Sequence, residues 1–244
     1  MQQTRLRGGG ASAAPPEGED MPVVPILYFS DVLCVWAFFA ELRIAAVRRT
    51  FSDQVGLEFR FCSVFGDVPN KIATSWGTRG GYDGFAAHVR HAAEGFPEVK
   101  LHDDLWRGVR PQSSLSPHLF LKAVHLAEQD DKCAAGSFER ALGAMRHAFF
   151  VDGRDIARLD VQRAVGEAAG APAAAIQDYL DTGRAHAALS ADYKEADVLG
   201  VKGSPTLILN QGRQKLYGNV GYRIIEANIQ ELLREPNPDQ ASWC

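Results

Sequence analysis

The residue with the clearest chemical potential is Cys34. It follows an apolar, β-rich run at residues 23–29 and begins an apolar stretch with helical spacing that continues to about Arg49. A cysteine in the first turn of a helix lies near unpaired backbone N–H groups and the positive end of the helix dipole, which both favour an anion. The sequence therefore predicts a lowered pKa for Cys34 and a thiolate that attacks disulfides, electrophilic carbons or peroxides.

A second segment, residues 201–206 (VKGSPT), is predicted to complete this site. It follows a predicted helix and precedes a predicted strand. Proline is the residue at which cis peptide bonds occur. With a cis bond before Pro205, the backbone of Ser204 would present its N–H and C=O to a bound thiol or peptide, as in strand addition. We expect Ser204 and Pro205 to face Cys34 and to bind the substrate.

The four cysteines contain no C-x-x-C pair and no metal-ligand spacing, so we predict no metal site. Ala37 occupies the position three residues after Cys34. Cys244, the last residue of a Pro-containing tail, is either a resolving thiol for Cys34 or an incidental exposed cysteine. Cys62 is expected in the core, and Cys133 at the surface.

Three further side chains are predicted to contribute to substrate binding. Asp31 precedes the predicted helix and is expected to cap it, although its charge opposes thiolate formation. Trp36 is expected to pack over the site with its N–H at the rim. His118, in the first turn of another predicted helix, either binds a ligand carboxylate or is a solvated surface residue.

The predicted elements position these residues within an α/β fold. A strand, a helix and a strand form a parallel βαβ unit, which is followed by a block of helices and then by two strands and a helix. The two strand-containing parts together have the thioredoxin arrangement, and the helical block is an inserted all-helical domain. The predicted ranges are an N-terminal tail at 1–21, the thioredoxin domain at 22–67 and 200–235, the helical domain at 68–199, and a C-terminal tail at 236–244.

Two motifs resemble the DsbA family. Residues 31–38 (DVLCVWAF) resemble its D-x-x-C-P-W-C-Y pattern, especially in the FrnE-like branch, and Gly203-Ser204-Pro205 resembles its cis-proline segment. Residues 116–123 (SPHLFLKA) are similar to its inserted helices, and the resemblance covers about residues 22–235. It implies thiol–disulfide oxidoreductase activity. The second cysteine of the family pattern is Ala37 here, so no disulfide can close across the motif.

Related families keep alternatives open. Kappa-class glutathione transferases and 2-hydroxychromene-2-carboxylate isomerases carry serine near the Cys34 position and use glutathione. The resemblance therefore implies either an oxidoreductase acting through Cys34 alone or a glutathione-dependent transferase or isomerase. A third hypothesis is a binding module that has lost the redox pair. The substrate would be glutathione, a peptide or a small electrophile. No permanently bound cofactor is expected, glutathione is a possible ligand, and a homodimer is possible.

Composition excludes other classes of protein. The net charge is −4 and no cluster of Lys and Arg suggests nucleic-acid binding. No apolar run approaches the roughly 18 residues of a membrane helix. The first 20 residues contain Gly, Ala, Pro and charged residues but no apolar segment typical of a signal peptide. We expect a cytoplasmic protein that binds neither nucleic acid nor membranes.

Overall fold

Four strands form the sheet of the computed structural model, which describes residues 23–234. The strand order is β2-β1-β3-β4, with β1 and β2 parallel and the other two pairs antiparallel. The strands are β1 (Val24–Ser30), β2 (Val55–Phe61), β3 (Thr206–Leu209) and β4 (Gln214–Tyr217). The sequence predicts strands at 206–209 and 214–217, which are β3 and β4, and both are confirmed. It also predicts a strand at 57–64, but β2 begins two residues earlier and ends at Phe61, because the next residues turn toward a buried carboxylate described below.

Two helices belong to the strand-containing parts: α1 (Val35–Phe51) connects β1 to β2, and α9 (Tyr222–Leu233) follows β4. Seven α-helices lie between β2 and β3. They are α2 (Val68–Trp76), α3 (Gly81–Ala93), α4 (Leu115–Gln129), α5 (Ser137–Phe150), α6 (Leu159–Ala168), α7 (Ala173–Asp181) and α8 (Arg184–Val198). The predicted order, βαβ, then helices, then ββα, is therefore confirmed.

The two faces of the sheet are covered by different helices because side chains alternate along each strand. Ile26 and Tyr28 of β1 belong to the core that includes Ile44 of α1 and Ile229 of α9. The next residue, Phe29, belongs instead to a small cluster with Cys62, Ile208 and Ala196, and the last of these comes from α8. The β1–α1 junction, which holds Cys34, therefore lies between helices from both parts of the chain.

The largest core joins the first part of α1 to the inserted helices. Phe39 of α1 shares this core with Val68 of α2, Phe120 of α4 and Phe149 of α5. The predicted domain limits at 67/68 and 199/200 remain predictions, since this core extends across the first of them. The predicted tails and Cys244 lie outside the described residues. Within residues 23–234, no helix is long and apolar enough to span a bilayer.

Candidate functional site

The thiol of Cys34 contacts the segment before Pro205, although the two are far apart in sequence. Cys34 is the residue immediately before α1, with extended backbone angles (φ −84°, ψ 116°). Its Sγ donates a hydrogen bond of 3.1 Å to the carbonyl oxygen of Ser204, 170 residues later. The Ser204–Pro205 peptide bond is cis. The structure thus brings Cys34, Ser204 and Pro205 together at the start of α1.

Ser204 also binds the loop that carries the thiol. Its Oγ accepts a hydrogen bond of 2.8 Å from the backbone N–H of Asp31. The carbonyl of Asp31 in turn accepts from the N–H of Cys34 at 3.1 Å. A Cβ at Gly203 would lie 2.7 Å from the Tyr217 hydroxyl, so a larger residue there would displace the Tyr217 ring. The position of the sulfur relative to Ser204 is therefore held through both the carbonyl and the side chain of Ser204.

The Asp31 carboxylate is buried and joins three separate loops. It accepts four hydrogen bonds, from the backbone N–H groups of Leu33 (2.9 Å), Val64 (2.9 Å) and Phe65 (2.8 Å) and from the Ser114 hydroxyl (2.8 Å). The prediction that Asp31 caps α1 is wrong, because its only nearby donor in this loop precedes the helix, and the helix has no side-chain cap. In this conformation Asp31 has no surface available to a substrate.

His118 is fully buried beneath the same loop, with 0 % of its surface exposed. Its Nε2 accepts the Val32 N–H at 3.0 Å, which places the ring proton on Nδ1, 2.9 Å from the Tyr193 hydroxyl. Burial lowers the pKa of His118 to about 4, so the ring is neutral and its 3.7 Å approach to Asp31 is not an ion pair. The ring also stacks on Phe61, with centroids 4.3 Å apart. Both ring nitrogens are engaged within the protein, so His118 positions the loop that precedes Cys34. Neither alternative raised for it, ligand binding or a solvated position, fits this burial.

Trp36 borders an open groove. The groove has a volume of about 510 Å³ and is also lined by Phe96, His88 and Asn219. Asn219 follows Gly218, whose N–H donates 2.8 Å to the carbonyl oxygen of Pro205. The groove is therefore bounded by Trp36, two residues after Cys34, and by the loop that binds Pro205. A second groove, of about 370 Å³, is lined by Cys62, Tyr193 and Gly203, so open surface is also present next to Ser204.

The protonation of Cys34 differs from the sequence prediction. Only 5 % of the residue is exposed, and this burial raises the pKa of its thiol. The Ser204 side chain and the backbone N–H groups of Ala37 and Trp36 lower the pKa by a smaller amount, and the Asp31 charge raises it further. The helix terminus therefore acts in the predicted direction, but desolvation is the larger effect.

Sequence reasoning did not identify the other side chains that build this site. Ser114, at the start of α4, binds Asp31, and Tyr193 of α8 binds His118. No local spacing in the sequence relates Ser114 or Tyr193 to Cys34. The Sγ of Cys62 lies 3.8 Å from the carbonyl oxygen of Gly203, in the buried position predicted for it. Burial raises the pKa of the Cys62 thiol. The thiols of Cys34, Cys62 and the half-buried Cys133 are all free.

Comparison with solved structures shows the same fold in several proteins. A probable DsbA oxidoreductase from Streptomyces coelicolor is similar with a TM-score of 0.67, at 19 % identity over 89 % of this chain and 93 % of that chain. The cytosolic disulfide reductase DsbM from Pseudomonas aeruginosa has a TM-score of 0.64, at 20 % identity over 86 % of this chain and 98 % of that chain, and it has also been solved with GSH. A 2-hydroxychromene-2-carboxylate isomerase has a TM-score of 0.59, at 16 % identity over 89 % of this chain and 100 % of that chain.

The search of curated proteins found no match. The family model of the DSBA-like thioredoxin domain, however, matches residues 25–230 and so includes Cys34, Pro205, the inserted helices and all four strands except the first residue of β1. The chain belongs to the DSBA-like thioredoxin domain family.

Proposed function

We propose that this protein is a thiol–disulfide oxidoreductase that uses Cys34 as its single reactive thiol. The observation that carries the proposal is the 3.1 Å contact between Cys34 Sγ and the Ser204 carbonyl, at the cis peptide bond that precedes Pro205. Family membership supports a general oxidoreductase or isomerase role. Ala37, which is buried at the third position after Cys34, leaves no second thiol within the motif.

The proposed reaction has two exchange steps. Cys34 first loses its proton, and its sulfur attacks one sulfur of a substrate disulfide. A bond forms between Cys34 and that sulfur, while the other sulfur leaves and takes up a proton. A soluble thiol, for which we propose glutathione, then attacks the sulfur bound to Cys34. This step returns Cys34 as a thiol and releases a disulfide, so the substrate is reduced and the soluble thiol is oxidised.

Burial has a defined role in this proposal. In the resting thiol, the proton of Cys34 lies in its hydrogen bond to Ser204. When the proton leaves, the Ser204 side chain and the N–H groups of Trp36 and Ala37 are the groups that stabilise the thiolate. Burial of the resting thiol therefore protects the protein from unselective oxidation, to which an exposed thiolate is susceptible.

The test is reduction of a glutathionylated peptide by glutathione, with NADPH consumption by glutathione reductase as the readout. Cys34→Ser is expected to reduce the rate to that of the uncatalysed reaction. Cys133→Ser is the matched control, because Cys133 lies on the connection between α4 and α5, outside the β1–α1 loop and the segment before Pro205. It is expected to retain the wild-type rate. Equal activity in Cys34→Ser and the wild type would reject the proposal.

A glutathione-dependent transferase or isomerase is the second candidate. The groove beside Trp36 favours it, because Phe96 and His88 provide further ring surfaces for an apolar substrate. This candidate predicts conjugation of glutathione to 1-chloro-2,4-dinitrobenzene without consumption of a disulfide. If neither reaction is observed but glutathione raises the melting temperature as a one-site ligand does, a binding module is the remaining hypothesis. We also propose a reducing compartment such as the cytoplasm, in which a monothiol reductase can be regenerated.

A further inference from the structure

A second cavity lies between α1 and α5, away from the groove beside Trp36. Its volume is about 280 Å³, and its floor is formed by Tyr28 of β1 and Phe59 of β2. Ile44 of α1 and Leu142 of α5 form apolar walls, and Arg146 of α5 provides a charged side chain. This volume is near the lower limit for small-molecule sites, roughly 300–1,000 Å³, so it suits a ligand with a single ring.

Two buried polar atoms belong to residues that line this cavity and have no partner among the described residues. They are the hydroxyl oxygen of Tyr28 and the Nε of Arg146, in residues that are each 1 % exposed. The rest of the guanidinium is held in place, since Nη1 donates to Glu41 at 2.8 Å and Nη2 donates to Ser30 Oγ at 2.8 Å. Buried polar groups almost always have a hydrogen-bond partner. Both atoms are enclosed, so an acceptor that enters from the cavity would be a partner for them once the side chains that cover them move aside.

A glycine in the cavity wall adds independent support. Gly143 lies in the middle of α5, where glycine is less favourable than alanine. It is not among the residues with positive φ, and a Cβ built there meets no atom within 4 Å. Neither backbone conformation nor packing therefore requires glycine at this position. Its effect is to leave space in the wall that faces Tyr28 and Arg146.

Each arginine that lines the cavity is paired with a glutamate, and the donor that remains on Arg146 determines which chemical group of a ligand can bind. Arg146 pairs with Glu41, and Arg48 pairs with Glu139 in a half-exposed ion pair on the same cavity. The Nε–H of Arg146 can only donate a hydrogen bond, so its partner must be an acceptor. Hydrogen bonds to an ionised acceptor are stronger than those to a neutral one. Burial raises the pKa of Glu41, so this side chain can take up a proton when a second anion enters.

We propose that this cavity binds a small monocarboxylate with a ring-sized apolar body. The carboxylate accepts hydrogen bonds from the Tyr28 hydroxyl and the Arg146 Nε–H, and the ring packs between Ile44, Leu142 and Phe59. The exposed Arg48–Glu139 pair is the part of the wall that opens without disturbing the core. The proposal does not depend on Cys34 chemistry, since none of these residues contacts the thiol in the structure.

The test is titration of the full chain with sodium benzoate by calorimetry, with benzamide as the neutral analogue. Benzoate is expected to bind one site, and benzamide at least tenfold more weakly. Tyr28→Phe is expected to weaken benzoate binding about tenfold, the factor for one hydrogen bond to a charged group. This variant should fold normally, because the hydroxyl that it lacks has no protein partner. Gly143→Leu should fill the cavity and abolish binding, whereas Gly143→Ala serves as the matched control and should bind benzoate within a fewfold of wild type.

Cys34→Ser separates this proposal from the proposed function, since it should bind benzoate like the wild type even though its reductase activity is lost. The absence of benzoate binding at ~10 mM, a concentration well above a typical weak site, would overturn the proposal. So would unchanged affinity in both Tyr28→Phe and Gly143→Leu, because benzoate would then bind elsewhere. A crystal structure grown with benzoate that shows only a water bridging Tyr28 and Arg146 would also overturn it.

Discussion

Removal of the Asp31 carboxylate tests the central contact of the site. This buried group is the acceptor for three backbone N–H groups and the Ser114 hydroxyl, and it joins the β1–α1 loop to the end of β2 and to the start of α4. Asp31→Ala leaves all four donors without this acceptor. Asp31→Asn retains one oxygen, which can replace the oxygen that now accepts three of the four bonds, but it places an NH₂ group against the N–H of Leu33.

The two substitutions should differ in magnitude. Asp31→Ala leaves four buried donors without their acceptor, each at a cost of about 1–3 kcal/mol less what entering water restores, so we expect the free energy of unfolding to fall by about 3–5 kcal/mol. For Asp31→Asn we expect about 1–3 kcal/mol, since one donor is left unsatisfied and the other bonds lose their charge. For a chain of this length, a loss of 1 kcal/mol lowers the melting temperature by about 2–4 °C. The melting temperature of Asp31→Ala should therefore be roughly 6–20 °C below that of the wild type.

Urea unfolding followed by far-UV circular dichroism provides the measurement. The matched control is Asp67→Ala, which removes an exposed aspartate that accepts a single bond of 3.0 Å from the Asn70 N–H at the start of α2. An N-cap of this kind contributes about 0.5–2 kcal/mol. If Asp31→Ala destabilises the protein no more than Asp67→Ala, or if Asp31→Asn is as harmful as Asp31→Ala, this account of the buried network is refuted.

Three further predictions concern the thiol and its surroundings. Because burial raises the pKa of Cys34, its alkylation by iodoacetamide should remain slow at pH 7 and accelerate above the ordinary value of 9.0; a rate that already reaches its plateau below pH 8 would contradict this. Ala37→Cys places a second thiol at the family position, so mild oxidation should form a disulfide between Cys34 and the introduced thiol, detectable by mass spectrometry, whereas Ala37→Ser should not form one. The pKa of His118 is about 4 in the folded protein and 6.5 ordinarily, so the unfolded chain binds a proton first as the pH falls. Its contribution to stability is complete above pH 6.5 and lost progressively toward pH 4, by up to about 3 kcal/mol, and this part of the pH dependence should disappear in His118→Asn.

The sequence alone was sufficient to predict the order of elements and the two segments that meet at the site. Local patterns carry that information. The apolar run before Cys34 and the helical spacing after it define a strand and a helix, and the strand Thr206–Leu209 begins directly after Pro205. The resemblance to the family then predicts that the two segments meet, because the family's fold brings them into contact. Spacing along the sequence alone cannot show such a long-range contact.

The tertiary structure alone decided the protonation and the roles of individual side chains. A helix terminus is a local feature, so its influence on Cys34 could be predicted, but desolvation depends on residues from distant parts of the chain that bury the thiol. His118 has the same surroundings in sequence whether it is exposed or buried; its neutral state follows from the Val32 N–H and Tyr193, which the fold brings to its two nitrogens. Asp31 likewise binds donors from loops that only the packed fold assembles.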